Sequence, residues 1–141
     1  RSSLVEYVSH HKLQDRVRLV PSISNDDLIN KMPTYDIFVV HTEYWELSKS
    51  ILEALLTGLP IVINKRIGRP VPELTSEIVR MCENTVDSYF SAITKLIESS
   101  EYRAGLGKEG CRYAHANWSP EVTEKVFIEH YENLIAGVYD N

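Results

Sequence analysis

His41-Thr42-Glu43-Tyr44-Trp45-Glu46-Leu47-Ser48-Lys49-Ser50-Ile51-Leu52-Glu53-Ala54-Leu55-Leu56-Thr57-Gly58-Leu59-Pro60-Ile61-Val62-Ile63-Asn64 follows the continuous apolar run Ile37-Phe38-Val39-Val40. The run predicts a strand covered on both faces. A polar, charged loop comes next, and then a helix over about residues 48–57. Its inward residues are Ile51, Leu52, Leu55 and Leu56, and Gly58 ends it in the left-handed region. Residues 60–63 supply a second buried strand. Strand, helix and strand in that order make a parallel unit, and the loop and helix N-terminus open at the carboxyl edge of its sheet, where α/β proteins hold ligands.

On the N-terminal side, residues 4–13 suggest a short helix with Leu4, Val5, Val8 and Lys12 on one side, and residues 16–20 alternate as a short strand would. Pro21 to Ser24 is a loop. Asn25 is placed to cap a helix running through Met32, with Asp26 and Asp27 complementing its dipole and Pro33 stopping it. On the C-terminal side, residues 65–71 form a loop with Arg66, Gly68, Arg69 and Pro70, after which helical patterns dominate. Tyr89, Ile93, Leu96 and Ile97 mark one helix. Tyr102, Leu106 and Tyr113 mark another, which Gly105, Gly107 and Gly110 are expected to break. Ser119 and Pro120 start a last helix striped by Val122, Val126, Tyr131, Leu134, Ile135 and Val138. The pattern predicts an open, mostly parallel Rossmann-like α/β sheet of at least three strands, with helices on both faces and a helical C-terminus.

The chain has 141 residues, 43% of them apolar, enough for one ordinary core and a single domain. A net charge of -5 without a clustered basic face argues against a nucleic-acid polymer as partner. Cys82 and Cys111 are far apart and without zinc-type spacing, which fits a reducing, cytoplasmic compartment. No stretch approaches the roughly 20 apolar residues of a membrane span. Peripheral attachment at the inner membrane face through sequence beyond this chain is left open. Because a helical pattern starts almost at Arg1, which is not a methionine, the chain is expected to be an N-terminally incomplete piece of a larger protein.

The block from Ser50 to Val62, followed by Pro72-Glu73-Leu74, resembles the donor-binding domain of retaining glycosyltransferases with the GT-B fold, the glycogen-synthase-like "group 1" family. That signature is a glutamate, seven residues, a second glutamate, then Ala-x-x-x-Gly-x-Pro-Val-Val. Glu101-Tyr102-Arg103 with Leu106-Gly107, and Asn117-Trp118-Ser119, resemble later family segments, so that the likeness runs from Val17 to Ile135. It implies transfer of a sugar from a nucleoside diphosphate to an acceptor hydroxyl, with retention, with no cofactor and no obligatory metal. An acceptor-binding domain of the same protein would be its partner.

Glu53 matches the family's second glutamate, which holds the nucleotide ribose; a mid-helix carboxylate near the carboxyl edge suits a ribose diol because charge-assisted hydrogen bonds are strong. The competing reading is a helical ion pair with Lys49. Ser48, Lys49 and Ser50 should lie in the first helical turn, whose free amides and dipole favour a diphosphate. Leu47 falls in the same donor-binding stretch. Eight positions before Glu53 stands Trp45, where the family has its sugar-contacting glutamate. Glu46 takes that role if the loop is one residue shorter, and Glu43 takes it if Trp45 turns inward. If Trp45 instead stacks on the donor without an acid, a catalytically degenerate nucleotide-binding or regulatory module is the alternative. An unrelated flavodoxin-like domain is a third reading, which the Glu53-to-Pro60 block disfavours. Lys65, Arg66 and Arg69 are candidates to face the diphosphate, Ser22 and Ile23 to contact the nucleobase, and His41 to lie near the ligand. The five histidines show no metal-ligand spacing.

Overall fold

A computed structural model describes residues 2–137, so that Val138, assigned from the sequence to the last helical stripe, lies outside the described residues. The elements are α1 (Ser2–His10), α2 (Asn25–Lys31) with a 3-10 turn at Met32–Thr34, β1 (Phe38–Val40), α3 (Lys49–Leu56), β2 (Ile61–Asn64), β3 (Arg80–Cys82), α4 (Val86–Glu98), α5 (Ser100–Trp118) and α6 (Pro120–Ile135). The three strands form one parallel sheet in the order β1-β2-β3, with Val39 opposite Val62 and Ile63 opposite Met81.

Every residue of β2 is buried, and its side chains alternate between two apolar clusters. Ile61 and Ile63 pack with Ile51, Ala54 and Leu55 of α3, whereas Val62 packs with Cys82, Ala92 and Leu96 on the α4 side. This period of two under a fully buried strand puts helices on both faces, as the sequence predicts.

The α3 cap is Ser48, whose Oγ accepts from the Ile51 amide at 3.4 Å, and Gly58 ends the helix with φ 76°. Ser24, rather than Asn25, caps α2, accepting from the Asp27 amide at 3.1 Å. Ser119 terminates α5 and caps α6, with Pro120 in the first turn.

Besides the α2 cap, two expectations need correction. Residues 17–20 carry no ladder and their apolar members are exposed, because alternation alone does not make a strand without a neighbour to pair with. A strand that the sequence reading missed, β3, takes the far side of β2. The glycines do not break α5, which runs unbroken for 19 residues. A Cβ on Gly107 would lie 2.3 Å from the Gly58 carbonyl oxygen, and one on Gly110 would lie 2.9 Å from Leu55 Cδ2. The two glycines let α5 lie directly on α3 and the turn after it. Of the α6 stripe, Val122 is half-buried and Val126, Tyr131, Leu134 and Ile135 are exposed.

Candidate functional site

The carboxyl ends of β1, β2 and β3 converge on one edge of the sheet. Residues Glu43, Trp45, Asn64, Lys65, Arg66, Ile67 and Asn84, one group from beyond each strand, line a cavity of about 300 Å³ there. The lining mixes an acid, two cationic side chains and an aromatic ring. Lys65 is ion-paired with Glu83, so its charge is already partly answered. Arg66 donates from Nη1 to the Thr42 carbonyl, while its Nε is buried without a hydrogen-bond partner among the described residues.

Glu53 lies on α3, whose N-terminus follows the loop carrying Glu43 and Trp45. Its side chain is 11% exposed, and Oε1 sits 3.6 Å from Lys49 Nζ, beyond hydrogen-bond length. No donor among the described residues reaches that buried oxygen. Leaving a buried carboxylate oxygen without a donor is costly in a folded protein, so the position is poised for a ligand that brings hydroxyl groups. The ion pair with Lys49 exists, and it leaves that carboxylate oxygen without a hydrogen-bond donor. With Ser48 Oγ engaged by the Ile51 amide, the first amides of the helix, on Lys49 and Ser50, have no intrahelical acceptor.

Beneath this edge Tyr89 of α4 reaches between the strands, its hydroxyl 2.9 Å from the Val40 carbonyl. Burial pushes its phenol pKa above the usual value, so it is a hydrogen-bond donor at neutral pH.

No protein-family model matches the chain. Over 142 aligned residues it is 30% identical to Spore coat protein SA of Bacillus subtilis (strain 168), covering 93% of this chain and 37% of that protein. Its structure superposes on sucrose-phosphate synthase from Thermosynechococcus elongatus with a TM-score of 0.77 and 19% identity, over 95% of this chain and 34% of that one. The chain shares the fold of that part of the synthase. It spans about a third of the length of each protein that it matches.

Within this fold the residues singled out from the sequence separate into groups. Glu43, Trp45 and Arg66 share the cavity, whereas Ser48 caps α3 and Lys49, Ser50 and Glu53 lie on its first two turns, and none of these four lines the cavity. Leu47 is half-buried against the core as α3 begins. Glu46 is exposed in the turn after Trp45 and does not line the cavity. Ser22 and Ile23 are exposed in the segment before α2 and are not part of it, and Arg69 and His41 are likewise exposed outside it. Sequence reasoning missed Asn64, Asn84 and Tyr89. Only Asn64 carried a signal, a polar residue closing an otherwise apolar strand.

Among the described residues no group of three His, Cys, Asp or Glu side chains is placed to hold a metal, and no helix is long and apolar enough to cross a membrane.

Proposed function

We propose that this chain is the donor-binding part of a glycosyltransferase that moves a sugar from a nucleoside diphosphate to an acceptor hydroxyl with retention of configuration. The observation that carries the reading is the buried Glu53 oxygen without a hydrogen-bond donor, next to the open N-terminus of α3. A ribose diol supplies two hydroxyl donors to such a carboxylate. The diphosphate then meets the Lys49 and Ser50 amides, the Lys49 ammonium and the Arg66 guanidinium. Preorganised charge of this kind stabilises a departing diphosphate without an obligatory metal. Glu43, which shares the cavity with Arg66, is the acid that addresses the sugar, with Trp45 beside it. An acceptor-binding domain of the same protein completes the cleft, in a cytoplasmic setting that accords with two free cysteines.

Calorimetric titration of the full-length protein with UDP, GDP and ADP, beside Glu53→Ala, tests this. Saturable binding of one nucleotide, weakened at least tenfold or about 1.4 kcal/mol in the variant, is the expected result. A well-folded protein that binds none of the three would sink the proposal. Trp45, at the position of the family's first glutamate, supports a second reading, a nucleotide-binding module without turnover. Tight nucleotide binding without hydrolysis or transfer of any hexose ester would favour it.

A further inference from the structure

β1 and β2 pair as far as Val40 and Ile63, and there β1 stops. Asn64, the buried last residue of β2, carries the pairing on through its side chain. Its Oδ1 accepts from the Thr42 amide at 3.0 Å, and its Nδ2 donates to the Thr42 carbonyl at 3.0 Å. A carboxamide offers an acceptor and donors much as a peptide group does, so one side chain satisfies both backbone groups of a residue that the ladder no longer reaches.

Other elements converge on the same point. Arg66 also donates to the Thr42 carbonyl, and the Tyr89 hydroxyl lies 2.9 Å from the Val40 carbonyl and 3.3 Å from Asn64 Oδ1. Thr42 accepts from the Tyr44 amide through Oγ1 at 3.1 Å. Thr42 is thus buried with its amide, carbonyl and hydroxyl all engaged, while residues 43–46 immediately after it are exposed. The loop is open to solvent on its outer side and fastened at its root by β2, by the segment following β2 and by α4. Glu43 and Trp45, which this loop carries, line the cavity together with Asn64 and Arg66. Reactive groups gain most when the elements holding them are fixed before the ligand arrives.

We infer that Asn64 is a positioning residue for the sugar end of the donor: by gripping Thr42 it sets where Glu43 and Trp45 stand in the cavity, and it leaves the nucleotide end to Glu53 and α3. This rests on the nucleotide-sugar reading of the same site.

The test compares the full-length protein with Asn64→Leu, similar in size but without the amide, and with Tyr89→Phe. Three quantities are measured: binding of UDP, GDP and ADP, binding of their glucose or mannose esters, and amide hydrogen exchange of residues 42–45. For Asn64→Leu the nucleoside diphosphate that the parent binds keeps its Kd within threefold, its hexose ester binds at least tenfold more weakly, and exchange of the Thr42 and Tyr44 amides, held by Asn64 Oδ1 and Thr42 Oγ1, accelerates at least tenfold. Tyr89→Phe moves the same quantities in the same direction by less, because its hydroxyl touches Asn64 only at 3.3 Å. Equal loss for the diphosphate and its ester, or a lowered melting temperature with binding and exchange unchanged, would reduce Asn64 to a strand-pairing role and overturn the inference. Should Asn64→Leu fail to fold, Tyr89→Phe decides: unchanged ester binding and exchange in that variant overturn it. A parent that binds no nucleotide overturns the pocket reading and this inference together, whereas a parent that binds one, matched by both variants for its ester, overturns the inference alone.

Discussion

Residues 4–20 and residues 48–63 carry similar messages in sequence, a helical pattern followed by a short apolar strand pattern, yet only the second completes both elements. In the first region α1 forms, but Leu4 and Val5 are exposed on it, and Val17, Leu19 and Val20 carry no ladder. In the second, β2 has a parallel neighbour on each edge and a packed helix on each face. A strand is a property of its surroundings: pairing satisfies its backbone groups and burial rewards its side chains, and neither is written in alternation alone.

Truncating Ile61 to Ala should break this contrast most visibly. The residue is fully buried against α3 and pairs with Phe38 of β1, and a loss of about 3 kcal/mol is expected in urea denaturation. Gly107→Ala should follow at about 2 kcal/mol, since its Cβ meets backbone at 2.3 Å. Gly105→Ala, with nothing within 4 Å, should instead stabilise by up to about 1 kcal/mol in the same assay. Glu53→Gln separates function from stability inside the well-packed region. It removes an ion pair to a lysine side chain that is 73% exposed, worth at most about 0.5 kcal/mol, yet nucleotide affinity measured by calorimetry should fall at least tenfold. The smallest effect belongs to Val17→Ser, within about 0.5 kcal/mol by thermal melting. A loss of several kcal/mol there would show that residues 16–20 are held as a strand after all.

The parallel unit from β1 to β2 was legible because its signals are local: an unbroken apolar run, a helical stripe, a glycine at the left-handed stop and a second apolar run. The missed strand β3 consists of Arg80, Met81 and Cys82, too short and too mixed to show any period. Gly107 and Gly110 suggested a break because a local pattern cannot reveal that Gly58 and Leu55 press against them from 49 and 55 residues away. The site divides in the same manner. Glu53 and the first turn of α3 were singled out from the motif around them, whereas Asn64 and Arg66 hold Thr42 from 22 and 24 positions away and Tyr89 holds Val40 from 49, all invisible to a reading along the chain. Which of Glu43 and Glu46 lines the cavity likewise depends on which way a turn faces.

The three glycines of α5 have a thermodynamic side as well. Each weakens an isolated helix by about 1 kcal/mol relative to alanine, and helix nucleation in water is already unfavourable. Segment 100–118, cut free, would therefore hold little helicity of its own. Its order is borrowed from the surface formed by α3 and the Gly58 turn, against which Gly107 and Gly110 fit. The folding of the longest helix is thus coupled to that of the shorter helix bearing Glu53, and any event that loosens one loosens the other.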